Sequence, residues 1–368
     1  MKTRLRVFTA FSGYDSQCMA LDRIGLPYDL VGWSEIDKYA IAAHNAIYPQ
    51  FAERNYGDIS KIDWAQVPDF DLFTYSSPCQ DFSAAGLQRG GTKGSGTRSS
   101  LLWECERAIA AKRPKYLLFE NVAALVSAKF VKLFNQWQLL LEGYGYTNFT
   151  QVLNAKDYGV PQNRERVFMV SILNCDKPYY FPQPIPLTKR LRDVLEDNVP
   201  EEFYLSERML KGFEQHNANH EAKGTGFIFK PKDGSDTANA LRANGALNAT
   251  DNAILVAGEM QGGAFDNTLN CHKKVFDKDG IAPTQTASMG KGWETKVLHG
   301  YRVRKLTPKE CFRLMGVEDT DADKMIAVLS KSRCYQVAGN SIVVDVLAAI
   351  FSQLFVGNNN NNQQTELF

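Results

Sequence analysis

Leu5-Arg6-Val7-Phe8-Thr9-Ala10-Phe11-Ser12-Gly13 is a β-rich apolar run closed by a small residue and a glycine. It is too short for a core helix and ends in turn residues, so it reads as a buried strand. Four further runs of this kind, residues 29–33, 71–75, 116–119 and 167–172, are separated by helix-length segments. Strands alternating with helices predict a parallel, doubly wound α/β sheet. Ligands of such sheets sit beyond the carboxyl ends of the strands. The residues just past each run are therefore the first candidates for chemistry: Ser12-Gly13, Glu35, Pro78-Cys79 and Glu120-Asn121.

The rest of the chain bounds this reading. Its 368 residues are 44% hydrophobic and 23% charged, enough for a large core and more than one average domain, which excludes disordered, collagenous and coiled-coil classes. The 42 basic and 41 acidic side chains leave a net charge of +1, so a polyanion would have to meet a local basic patch. Seven cysteines form no C-x-x-C pair and no zinc-ligand spacing, which predicts reduced thiols, a cytoplasmic protein and no metal site. The N-terminal segment, interrupted by polar residues and Asp15, is not read as a signal peptide. The apolar C-terminal segment contains Asp345 and is expected to be too short to span a bilayer.

Residues 1–180 are expected to form the large α/β domain. Prolines 182, 184 and 186 mark a joint, and a Gly-, Asn- and Thr-rich region follows, so that 181–300 reads as a smaller, irregular β-containing domain. Helical texture returns in 301–357, where Thr307-Pro308 opens one helix and Val343, Val346, Leu347, Ile350 and Leu354 stripe another. Residues 358–368 read as an unstructured tail.

Cys79 stands at the mouth of a strand and ahead of the Gly-rich segment 86–97, the position of a nucleophile, although taken alone a cysteine there is more often an inert core thiol. Glu120 ends another buried strand and would lie on the same sheet edge. Gln162-Asn163-Arg164-Glu165-Arg166, ahead of the run 167–172, could supply fixed positive donors, or simply a solvated surface.

These three groups, in this order, closely resemble the DNA cytosine-5 methyltransferase family, and the resemblance covers nearly the whole chain. Phe11-Ser12-Gly13 looks like its cofactor loop, Glu35 like the acid after its second strand, and Gly57-Asp58-Ile59 like its third acidic loop. Pro78-Cys79-Gln80 resembles the catalytic loop, Glu120-Asn121-Val122 the catalytic acid, 162–166 the arginine motif, 304–316 the helix that supports the recognition domain, and Gly339-Asn340-Ser341 the closing cofactor segment.

The resemblance implies a Rossmann-like methyltransferase fold and S-adenosylmethionine as cofactor. Its contacts would come from Phe11, Ser12, Gly13, Asp15, Glu35, Ile36, Asp58, Ile59, Pro78, Leu101, Asn340 and Ser341. Asp15 stands where the family usually has a second glycine, which suggests an acid able to pair with the cofactor's ammonium group. It implies a Cys79 thiolate adding to C6 of a flipped-out cytosine, Glu120 protonating N3, Arg166 holding the O2 carbonyl and Arg164 a phosphate or loop. Gln80, Ser83, Arg89, Lys93 and Arg98 would contact the DNA backbone. Thr268, Thr284 and Thr286, in two competing segments, would belong to the recognition signature. Double-stranded DNA is the expected partner, with a cognate restriction endonuclease alongside, for a monomer acting in a bacterial or phage-infected cell. Gln364-Thr365-Glu366-Leu367-Phe368 resembles a sliding-clamp docking peptide. The rival readings are an RNA (tRNA) cytosine-5 methyltransferase and a catalytically idle DNA-binding homologue.

Overall fold

A computed structural model describes residues 4–77, 101–223, 229–232, 236–241, 253–256, 276–277, 297–298 and 302–357. Pro78, Cys79, Gln80, Ser83, Arg89, Lys93, Arg98, Thr268, Thr284, Thr286 and the segment 364–368 lie outside the described residues.

The chain divides into two compact units, one of Met1–Lys189, Ala240–Gly245 and Pro308–Phe368, the other of Arg190–Asn239 and Ala246–Thr307. The larger unit is built on a six-stranded sheet of β1 (Leu5–Ala10), β2 (Tyr28–Ser34), β3 (Leu72–Tyr75), β4 (Tyr116–Val122), β5 (Tyr146–Asn154) and β6 (Glu165–Leu173), in the order β2-β1-β3-β4-β6-β5. β1 pairs in parallel with β2 and β3, and β3 with β4, so Ala10, Ser34, Tyr75 and Val122 finish on one edge. The strand-order reversal beside β1 is the switch point at which doubly wound sheets bind ligands.

Two features depart from the all-parallel expectation. The run 167–172 belongs to a strand that runs antiparallel to β4, and β5, absent from the sequence reading, pairs antiparallel with it at the sheet edge. β5 is an amphipathic edge strand, mostly exposed over Thr147–Val152 except for partial cover at Asn148 and Phe149, so it lacks the continuous apolar run of a buried parallel strand. A tight connection through residues 155–164 joins β5 to β6, and a connection this short suits antiparallel neighbours.

Helices α1 (Ser16–Arg23), α2 (Lys38–Ile47), α3 (Leu102–Lys112) and α4 (Val131–Gly143) connect the strands. Asp15 and Asp37 start α1 and α2 by accepting the N–H groups of Cys18 at 3.4 Å and Tyr39 at 2.9 Å. One face of the sheet buries Phe8, Phe73, Tyr75 and Phe119 against Trp64, Phe134 and Trp137, and Trp137 donates its indole N–H to the Tyr75 hydroxyl at 3.1 Å.

In the smaller unit, α5 (Glu207–Lys223) carries Phe213, whose ring stacks on Phe229 at 4.0 Å, and β7 (Ala253–Val256) pairs antiparallel with β8 (Arg302–Lys305). The 304–316 stretch is therefore not one helix. It begins in β8 and becomes α6 (Pro308–Arg313) only where Pro308 presets the first helical turn.

The larger unit is completed by α7 (Asp319–Val328), α8 (Lys331–Asn340) and α9 (Val344–Phe351). Lys331–Val356 is long and apolar enough to span a bilayer by length and composition, contrary to the expectation from sequence. It is nevertheless two helices parted at Ser341-Ile342-Val343, and α9 buries Val344, Leu347, Ile350 and Phe351 completely.

Candidate active site

The carboxyl edge of the sheet carries two clusters. At the end of β1, Phe11 adopts φ +55° and Gly13 φ +60°, left-handed conformations that turn the chain sharply away from the strand. Among the described residues, and apart from its two chain neighbours, no atom lies within 4 Å of where a Gly13 Cβ would sit, so the loop presents bare backbone. The Ser12 hydroxyl is buried and has no hydrogen-bond partner among the described residues.

Glu35, just past β2, accepts the backbone N–H groups of Gly13 at 3.0 Å, Ile36 at 2.8 Å and Asp37 at 2.9 Å. Burial raises its pKa above the ordinary glutamate value of 4.5, against the pull of those three N–H groups. Ile36 beside it is 70% exposed, an apolar side chain offered to solvent at the rim of a charged loop. Asn55, missed in the sequence, ties this loop to the next. Its amide accepts from Glu35 N and Gly57 N and donates to the Glu35 carbonyl. The only signal available was its position two residues ahead of Gly57-Asp58-Ile59. Asp58 caps a short 3-10 turn through the Ser60 hydroxyl and N–H, which lower its pKa, and Ile59 points into the core.

The remaining cofactor candidates divide. Leu101 is half-buried at the start of α3, Asn340 is the exposed last residue of α8, and Ser341 is buried just past it. Asp15 turns inward. Its carboxylate is fully buried, accepts from the Thr9 hydroxyl at 2.9 Å and from Cys18 N, and lies 3.6 Å from His44 Nε2, itself buried and stacked on Trp33. Asp15 caps α1, which begins immediately after this residue.

The second cluster lies at the ends of β3, β4 and β6. Glu120 is 6% exposed, accepts the Ser76 hydroxyl at 2.5 Å and lies 3.2 Å from Arg166 Nε. The antiparallel register sets Val122 opposite Arg166, which brings the first residues of β6 to the edge where β4 ends. Asn121 donates to the Ser77 carbonyl at 3.1 Å, holding the chain two residues past the end of β3. Neither Ser76 nor this use of Asn121 was legible in the sequence, since both depend on the pairing of β3 with β4.

Arg164 does not reach this cluster. Its guanidinium is 3% exposed and donates to the carbonyls of Leu241 at 3.0 Å, Gly339 at 3.0 Å and Ser341 at 2.6 Å. Gln162, fully buried, donates to the Leu314 carbonyl and accepts from Leu241 N. The arginine motif thus separates into two roles, Arg166 beside the acid and Arg164 as an internal clamp, since Arg164 precedes the strand and so escapes the period-two alternation that would have set it on the same face as Arg166.

Comparison with known proteins accords with this layout. The model of the C-5 cytosine-specific DNA methylase family matches residues 5–356. The type II methyltransferase M2.ScrFI of Lactococcus lactis subsp. cremoris is 36% identical over 95% of this chain and 99% of its own length. The type II methyltransferase M.NlaX of Neisseria lactamica is 32% identical over 87% of each. Among solved structures, the Entamoeba histolytica methyltransferase EhMeth superposes with a TM-score of 0.69 at 17% identity, covering 98% of this chain and all of its own. The S. pombe Dnmt2 methyltransferase gives 0.67 at 19%, covering 97% of this chain and all of its own. With a family model spanning nearly its whole length and relatives above 30% identity, the chain belongs to the C-5 cytosine-specific DNA methylase family.

Proposed function

We propose that this enzyme methylates C5 of a cytosine flipped out of one short sequence in double-stranded DNA, using S-adenosylmethionine and a transient covalent bond from Cys79 to C6. The observation that carries the reading is the buried Glu120 paired with Arg166 on the sheet edge where β3 ends at Tyr75.

The β1–β2 edge fits the cofactor. Open backbone at Gly13, an unpartnered Ser12 hydroxyl, a carboxylate held by three N–H groups and an exposed apolar Ile36 match a ligand with ribose hydroxyls and a flat base. Glu35 accepts from the ribose hydroxyls, Ile36 packs on the adenine, Asp58 takes its amino group, and Asn340 and Ser341 close the far side. Bound S-adenosylmethionine supplies an electrophilic sulfonium methyl group.

The chain's own residues prepare the acceptor. The Cys79 thiolate adds its electron pair to C6, and the charge moving into the ring is met by a proton held between Glu120 and N3. Arg166, fixed by Glu120, directs its remaining donors to the O2 carbonyl. The addition makes C5 electron-rich. In the closing step the C5 proton leaves to water and the C6–Sγ bond breaks, returning the thiolate. The Gly-rich segment 86–97 is read as the loop that closes over the flipped base, with Gln80, Ser83, Arg89, Lys93 and Arg98 toward the DNA backbone, and the smaller unit as the sequence reader.

Base-resolution 5-methylcytosine sequencing of a methylation-free bacterial host expressing the chain tests this directly. Methylation confined to one motif, and absent with Cys79→Ala, is expected. Absence of methylation from soluble, cofactor-binding protein would transfer the substrate to RNA. Duplex DNA carrying 5-fluorocytosine should form a stable adduct with the native chain and none with Cys79→Ser.

A further inference from the structure

We propose that Gln336 is a positioning residue for cofactor binding: it spans from α8 to Asp37 and so holds the Glu35 carboxylate in place from the far end of the chain. The inference rests on the reading of Glu35 as the ribose acceptor.

The Gln336 amide makes two contacts. Its Nε2 donates to Asp37 Oδ2 at 2.9 Å and its Oε1 accepts from an Arg333 terminal nitrogen at 2.6 Å. A carboxylate only accepts and a guanidinium only donates, so the amide has one orientation that satisfies both. The Arg333 guanidinium also lies over the Tyr39 ring, 4.1 Å from its centroid. α8 is thereby fastened to the first turn of α2 by two adjacent side chains, one turn apart on the helix.

Asp37 is the residue through which this matters. Its Oδ1 accepts from Tyr39 N, fixing the start of α2, and its own N–H donates to Glu35 Oε1. The Glu35 carboxylate is thus aimed by backbone N–H groups whose position depends on where Asp37 sits, and Gln336 takes the second Asp37 oxygen. The other end of α8 is equally tied, since Arg164 holds the Gly339 and Ser341 carbonyls around Asn340. One helix, Lys331–Asn340, therefore joins the loop carrying the ribose acid to the closing cofactor segment. Loosening either attachment changes the fit of the site without removing any group that touches ligand.

The test exploits polarity. Gln336→Glu sets two carboxylates against each other, whereas adding Asp37→Asn lets the Asn amide donate to the introduced carboxylate while its oxygen still caps α2. Titration calorimetry with S-adenosylmethionine should give about a five- to tenfold higher Kd for Gln336→Ala, a larger rise for Gln336→Glu, and recovery to within about threefold for the double variant. At saturating cofactor, kcat of Gln336→Ala should stay within about twofold of the native value, so the effect appears in KM. Unchanged Kd in both single variants, or a double variant that recovers melting temperature without recovering Kd, would overturn the proposal. Glu35→Ala separates the two readings: if it binds as tightly as the native chain, the ribose assignment fails. If it loses binding while the Gln336 variants do not, only the positioning role fails.

Discussion

Arg166 Nε stands 3.2 Å from Glu120 because β6 runs antiparallel to β4, with Arg166 opposite Val122. A parallel strand would have carried Arg166 to the opposite edge of the sheet. The pair is buried on the acid's side, with side-chain exposures of 20% and 7%, so each member depends on the other for charge compensation.

Glu120→Gln keeps the shape and the Ser76 contact but removes the proton donor. A positioned acid contributes about 10²–10⁴ in rate, so kcat should fall by that range while calorimetry shows cofactor affinity within about twofold. Arg166→Ala should cost activity and stability together, about 2 kcal/mol in urea unfolding once its partial exposure is allowed for.

Arg164→Lys is not conservative. One ammonium cannot reproduce the planar fork that reaches the carbonyls of Leu241, Gly339 and Ser341, and each buried carbonyl left unmet costs about 1–3 kcal/mol. We expect a loss of about 2–4 kcal/mol in denaturant unfolding, and weaker cofactor binding as the 339–341 segment loosens. Stability equal to the native chain would refute the clamp.

Cofactor affinity should fall on acidification before the ordinary glutamate range is reached. Burial raises the Glu35 pKa above 4.5, and the ionised form is the hydroxyl acceptor, so affinity is full at neutral pH and is lost as pH drops through the raised value. The same shift means that the folded chain holds this proton more tightly than the unfolded one, so its titration in that window favours folding. Binding, and not unfolding, is then what the loss reports. Calorimetric Kd measured from neutral pH downward should show the drop, and Glu35→Gln should bind more weakly with that limb flattened.

Gly316 sits at φ +75°, where a Cβ would collide with Asp345 Oδ2 and come within 3.3 Å of Asp345 N. Asp345 is held by Arg23 at 2.9 Å, and Arg23 also donates to the Gly316 carbonyl at 2.5 Å, so the aspartate cannot step aside without breaking that contact. Gly316→Ala should destabilise the fold by about 2 kcal/mol or more, read as a lowered melting temperature.

The strands 5–11, 29–33, 71–75 and 116–119 and the residues that follow them were legible because a buried strand must be apolar throughout and must stop at residues able to turn. Glu35, Glu120 and the Gly13 loop follow from that rule alone, as does the stripe Val346, Leu347 and Ile350 in the C-terminal helix. Direction was not legible. An apolar run is the same read either way, and whether residues 167–172 lie parallel or antiparallel depends on the short path back from β5, a strand whose mostly exposed middle carries little signal. Orientation of polar side chains escaped for a related reason. Asp15, Arg164 and Gln336 differ in use only through what the fold brings beside them, a helix start, three carbonyls and Asp37, from positions up to 299 residues away. Composition and spacing state which groups a chain owns. Hydrogen-bond partners are set by distance in space, and only the packed sheet with α8 laid against α2 decides those.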